Sequence, residues 1–183
     1  MRAFQRLGLM VLLGIVLCGA AFGQSLAFAL SFGVATGDFK NSFVGGVSGD
    51  FRVLSFLHGE VEYFYYRMPA PRSTNPGEAI TSTAIDMNAS LVLQPVEVKV
   101  KGIKFIPYVL LTGGTLYESE TLKYSATRTH THRSYSRWDT GAGLGLKVIL
   151  GFNSGIRFDV RWIRILRKDQ IVPRFALGYM LFI

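Results

Sequence analysis

The chain has 183 residues and a formal net charge of +8, yet only 17% of its residues are charged while 49% are apolar and 13% aromatic. That charged fraction is low for a soluble domain, and beyond the N-terminal segment no run of 18 apolar residues could cross a membrane as a helix. Twenty glycines, six prolines and one cysteine argue against disorder and against a disulfide scaffold, and for many short strands in one domain.

Arg2 and Arg6 precede an apolar run from Leu7 to Leu17, and the small residues Gly19, Ala20 and Ala21 follow. A positive segment, a short apolar segment and a small-residue site together read as a secretory signal peptide. It spans 1–23, with cleavage after Gly23 or alternatively after Ala21, and it removes Cys18. Lipidation of Cys18 is disfavoured by the bulky Leu17 before it. The mature domain then covers 24–183.

From Leu26 the chain alternates with a period of two, which puts successive side chains on opposite faces of a strand. Leu26, Phe28, Leu30, Phe32 and Val34 share one phase of the first strand, and Thr36 to Asn41 is a turn. The second strand runs from Phe43 to Leu54, and the third carries Val61, Tyr63 and Tyr65 against His58, Glu60, Glu62 and Phe64. Met68 to Glu78, rich in Pro, Ser and Asn, is a loop. The fourth strand holds Ile85, Met87, Ala89, Leu91 and Leu93, and Pro95 breaks its register. Val96, Val98 and Val100 then form a hairpin tip that leaves the membrane and turns near Gly102. The fifth strand spans Phe105 to Leu116, and the polar stretch Tyr117 to Arg133 is expected to be a long loop. Trp138 to Lys147, Ile156 to Ile163 and Pro173 to Ile183 are the sixth, seventh and eighth strands, separated by a turn at Gly151–Ser154 and a charged loop at Leu166–Ile171.

One phase is large and apolar in nearly every strand, and the other mixes Gly, Ala and Ser with sparse charges. A soluble barrel would carry more Lys and Glu outside. Small residues and a few charges suit the lumen of an eight-stranded barrel, which side chains fill. The predicted fold is therefore all-β, an eight-stranded antiparallel up-and-down transmembrane β-barrel. Closure satisfies every backbone group in lipid, and the last strand pairs with the first. Tyr63, Tyr65, Tyr108, Trp138, Trp162 and Tyr179 are candidates for the interfacial aromatic girdles.

The glycine-rich strands Gly45-Gly46-Val47-Ser48-Gly49 and Gly141-Ala142-Gly143-Leu144-Gly145, with Glu60-Val61-Glu62-Tyr63, Ile106-Pro107-Tyr108 and the terminal strand, resemble the OmpA/OmpX-like outer-membrane barrel family across the whole mature chain. The resemblance implies a cell outer-membrane location, and a terminal strand that addresses the chain to the barrel-insertion machinery. Gly178, Leu181 and Ile183 match that insertion signal, although the family usually ends in Phe.

The inward phase carries Asp50, Arg52, Glu60, Glu62, Asp86, Asp139, Lys147, Arg157, Asp159, Arg161 and Arg174. Opposite charges in so narrow a lumen should pair, giving a salt-bridged plug rather than an ion path. Arg164, Arg167 and Lys168 are candidate contacts for lipopolysaccharide phosphates. His130, His132 and Ser134 have the His-x-Ser spacing of outer-membrane lipid A deacylases, but no carboxylate is placed to orient a histidine. No phosphate loop, metal cluster or nucleotide fingerprint is present, so no cofactor and no metal are expected. The net positive charge is assigned to anionic lipid head groups rather than to nucleic acid. The expected protein is a monomeric, non-enzymatic barrel with a structural, surface-interaction or adhesion role. A lipid-modifying enzyme and a narrow channel or carrier are the rival readings.

Overall fold

The computed structural model describes residues 26–68, 78–124, 129–151, 153–166 and 170–183. The leader with Cys18, and Arg167 and Lys168, lie outside them. The strands are β1 (Leu26–Ala35), β2 (Ser42–Arg52), β3 (Leu57–Met68), β4 (Glu78–Leu93), β5 (Val98–Val100), β6 (Ile103–Tyr124), β7 (Thr129–Ile149), β8 (Ser154–Ile165) and β9 (Gln170–Phe182). They form one sheet in the order β4-β3-β2-β1-β9-β8-β7-β6-β5, and β4 also pairs with β6. That pairing closes a ring of eight strands and leaves β5 as a small appendage on β6.

Every ladder is antiparallel, and the closing seam runs from Ala27↔Phe182 to Ala35↔Arg174. The connections after β2, β4 and β7 lie at one end with Leu26 and Ile183, called here the turn end. β1, β3, β6 and β8 run out at the other, the loop end. Val100 and Ile103 pair across Lys101 and Gly102, both at positive φ (49° and 86°), which is the backbone of a tight hairpin turn. The two prolines inside strands sit where a neighbour has ended. Pro107 lies past the Leu93↔Val109 end of the β4–β6 ladder, and Pro173 lies past the Ala35↔Arg174 end of the seam. A missing N–H costs nothing there.

The phases fall as the alternation predicts. Leu30, Phe32, Val109, Leu144, Phe158, Leu177, Tyr179 and Leu181 are all about half exposed and face outward. Most of the inner phase is buried. At the loop end an apolar cluster including Ala35, Phe39, Val44, Phe64, Tyr66, Leu116, Ile165 and Val172 fills the lumen. Phe39 meets Tyr66 edge to face at 5.2 Å.

Two expectations need correction. Within the expected loop at 117–133, residues 117–124 and 129–133 are strand. β6 and β7 remain paired from Lys104↔Ile149 to Tyr124↔Thr129. Thr, Ser and Tyr residues suit a strand, but residues 131–136 are exposed on both faces, so no apolar alternation marks it. Tyr108 is not in an aromatic girdle. It shares the inner phase of Ile106 and Leu110 and is 2% exposed, because Pro107, Val109 and Leu111 take the outward phase.

Candidate functional site: a sealed lumen and a projecting ribbon

Alternation places charges at every second residue of β3 (Glu60, Glu62) and β8 (Arg157, Asp159, Arg161). In the ring these two strands stand on opposite walls, so their side chains meet across the lumen. Arg157 donates to both Glu60 oxygens, at 2.5 Å from Nη1 and 3.0 Å from Nη2. Arg161 Nη2 donates to Glu60 Oε1 at 2.7 Å, its Nε to Asp159 Oδ1 at 2.7 Å, and its Nη1 stands 2.9 Å from Glu62 Oε2. Arg174 on β9 donates to Glu62 Oε1 at 2.8 Å and stands 3.7 Å from Asp86 Oδ2. Its guanidinium also covers the Phe64 ring at 3.9 Å. Toward the turn end, Lys147 on β7 reaches Asp50 on β2, again the opposite wall, at 2.5 Å.

Two tyrosines and a histidine outside the expected set join this network. Tyr108 accepts from Arg157 Nε at 2.8 Å and donates to Asp159 Oδ2 at 2.8 Å. Tyr66 donates to Asp86 Oδ2 at 3.0 Å and accepts from Arg174. His58 Nδ1 lies 2.8 Å from Asp50 Oδ1. The inner phase of each strand is the signal that could have found them. Tyr66 continues Glu60-Glu62-Phe64 one step beyond the predicted strand end.

Ten of the eleven expected lumen charges are buried, and Arg52 is not. Arg52 is the last residue of β2 and stands exposed on the rim of a cavity of about 210 Å³ at the turn end, where its charge stays in water. Among the described residues, both Asp139 oxygens and Asp86 Oδ1 find no N–H or hydroxyl donor. In this set six buried carboxylates (Asp50, Glu60, Glu62, Asp86, Asp139, Asp159) thus face four buried cations (Lys147, Arg157, Arg161, Arg174). No cluster of three or more metal-ligating side chains occurs among the described residues.

Glycines on β7 make room for this layer. A Cβ on Gly145 would stand 2.3 Å from the Tyr108 ring and hydroxyl and 2.4 Å from the Phe158 carbonyl oxygen. Gly145→Val should therefore lower stability by about 1–3 kcal/mol through overpacking, read as an earlier midpoint in urea unfolding of the bilayer-inserted barrel.

No protein-family model matches the sequence, and no curated protein does. Solved structures do. A major outer membrane protein from Thermus thermophilus superposes with a TM-score of 0.65 at 10% identity, over 86% of this chain and 99% of that one. Ail, the attachment invasion locus protein of Yersinia pestis, gives 0.57 at 13% identity, over 87% and 97%. Neisserial surface protein A gives 0.54 at 14%, over 87% and 96%. The fold is that of the small eight-stranded outer-membrane barrels.

On this outer-membrane-type barrel the loop end carries a raised ribbon. The β7–β8 ladder begins only at Asp139↔Ile165, whereas β7 pairs with β6 from Thr129 onward. Among the described residues, 129–137 therefore have a strand on one side and none on the other. β6, at 22 residues, is about twice the 9–11 that a membrane crossing needs. Glu118 and Arg137 pair at 3.0 Å near the base of the ribbon. Higher up, His132 Nε2 stands 3.4 Å from Ser119 Oγ and its Nδ1 3.2 Å from Thr121 Oγ1. Both ring nitrogens of His132 thus face hydroxyls, and Ser134 is exposed. The His130 side chain lies outside the described residues. Arg164, exposed near the end of β8, also faces the loop end.

Proposed function

We propose that this chain is a monomeric, non-enzymatic protein of the outer membrane, that its lumen is a structural plug, and that its working surface is the ribbon of β6 and β7. The observation that carries the reading is the open edge of residues 129–137, held above a barrel whose interior is sealed. An edge strand offers unpaired N–H and C=O groups to a partner, and Thr, Ser, Tyr, His and Arg side chains along it can add specificity. Residues 1–23 act as the export signal, and Gly178, Leu181 and Ile183 act as the address for the insertion machinery.

A second contact fits the same end. Arg164 stands near the loop-end rim, and Arg167 and Lys168 follow it in sequence, three cations suited to the phosphates of lipopolysaccharide. Ail has been solved with the heparin analogue sucrose octasulfate, so a barrel of this fold can hold a polyanion.

Cell fractionation combined with heat-modifiable gel mobility tests the location. Shortening the ribbon by joining residue 118 to 135 through a tight turn should leave that mobility shift intact and abolish surface binding to host cells or matrix. Retained binding would refute the ribbon as the working surface. Neutralising Arg164, Arg167 and Lys168 should lower lipopolysaccharide association without affecting insertion. In planar bilayers the barrel should show no conductance comparable to a large porin, because Arg161 and Arg174 with their carboxylates occupy the lumen beneath an apolar plug. Against the deacylase reading, His132 faces two hydroxyls, and among the described residues no carboxylate is shown orienting it.

A further inference from the structure

The turn end is unusual in what it exposes. Val53, Leu54, Phe56, Val96, Val98, Val100 and Leu150 are each 46–53% exposed there. Turns that stood free in periplasmic water would be expected to be polar. The hairpin of β5 and the start of β6 is the clearest case, because it is two-faced. Val98 pairs with Phe105 and Val100 with Ile103, which sets four apolar side chains on one face. That face has the outward phase of Pro107, Val109 and Leu111, so it continues the lipid-facing band.

The other face is cationic. Lys99 stands directly across from Lys104, a like-charge pairing that destabilises a hairpin unless something neutralises it. Glu97 lies 3.3 Å from both ammonium groups, and one carboxylate cannot balance two lysines. Lys101, exposed at the turn, and Arg52, exposed on the neighbouring rim, add to the surplus. Glu97 is the only acidic residue in the turn-end segments 52–57, 94–104 and 149–154.

We propose that the 96–105 hairpin lies in the interface of the inner leaflet, with its valines among the acyl chains and Lys99, Lys101 and Lys104 on the phosphates of anionic phospholipid. This rests on the membrane reading above. With the apolar face turned to the acyl chains, the opposite, cationic face stands at head-group level. The apolar face and the unbalanced lysines point to the same occupant, since only a lipid offers both a hydrocarbon surface and a phosphate within one molecule's length.

The test uses the full mature barrel in nanodiscs of phosphatidylcholine with a minority of phosphatidylglycerol. Native mass spectrometry should find phosphatidylglycerol retained in preference to phosphatidylcholine. The triple variant K99Q/K101Q/K104Q should lose that preference, by roughly fivefold per lysine. Equal retention by the two proteins overturns the phosphate contact. Spin labels placed singly at Val98→Cys and Lys99→Cys test the depth. The Val98 label should be relaxed by oxygen and shielded from a water-soluble nickel chelate, and the Lys99 label the reverse. Equal exposure of both to the chelate puts the hairpin in water and overturns the insertion. A hairpin in water on an inserted barrel sinks this inference alone, whereas a chain that does not enter the bilayer sinks the membrane reading itself.

Discussion

Replacing Arg161 with methionine is expected to destabilise the barrel by about 3–5 kcal/mol, the cost of breaking a buried ion pair from one side. Arg161 is 1% exposed and stands between Glu60, Glu62 and Asp159. Without it, the six buried carboxylates of the lumen would face three buried cations. The side chains that remain cannot turn to water, because the apolar cluster around Phe39 and Tyr66 closes the loop end above them. Urea unfolding of the inserted protein would measure the loss. Adding Glu60→Gln to the same variant should recover part of it, since it removes one carboxylate that has lost a donor while Arg157 keeps Asp159 at 2.6 Å. An Arg161→Met protein as stable as the parent would mean that the lumen is hydrated and its charges are independently solvated.

The second large effect belongs to the outer face. Leu177 is 51% exposed and lies between Phe32 of β1 and Phe158 of β8, each 50% exposed. On a soluble protein Leu177→Arg would be nearly neutral or would improve solubility. On a barrel held in lipid it places a cation near the middle of the apolar band, where the cost is about 2–4 kcal/mol. The expected result is a marked fall in the folded fraction in lipid, with little change for Arg introduced at the exposed rim position Ser55. A neutral Leu177→Arg would reverse the assignment of the two faces.

The barrel was legible because most strands set large apolar side chains on one face and small or charged ones on the other, so a period of two runs through Phe28 to Val34 and Phe175 to Ile183 without interruption. Where that contrast fades, the reading fails. Residues 117–124 and 129–133 form strands without an apolar face in the sequence, and the strands there are specified by cross-strand partners such as Glu118 with Arg137, which a single sequence does not reveal. Tyr108 was misplaced for a related reason. A tyrosine suits a membrane interface and a polar lumen equally well, and only the phase set by Pro107, Val109 and Leu111 separates the two. The lumen charges could be named from alternation, but their pairing could not. That Glu60 meets Arg157 and Arg161 depends on β3 and β8 standing four places apart in a ring of eight, which is a property of closure and not of either strand. Arg52 shares the inner phase of Asp50 and still lies outside the network, because a strand end marks where the lumen stops, and periodicity alone does not locate it.

The seam between β1 and β9 also sets the order in which the molecule can be made. Each of the other seven contacts around the ring joins strands that follow one another along the chain, the small β5 aside, so hairpins can form in sequence, each closing a short loop at small entropic cost. The seam alone joins opposite ends of the barrel, and its long-range pairing cannot begin until β9 is present. Folding should therefore be slow at one step, with a nearly complete open sheet waiting on a single closure. Until that step Arg174 cannot reach Glu62 and Tyr66, so the last contacts of the lumen and the last hydrogen bonds of the wall arrive together.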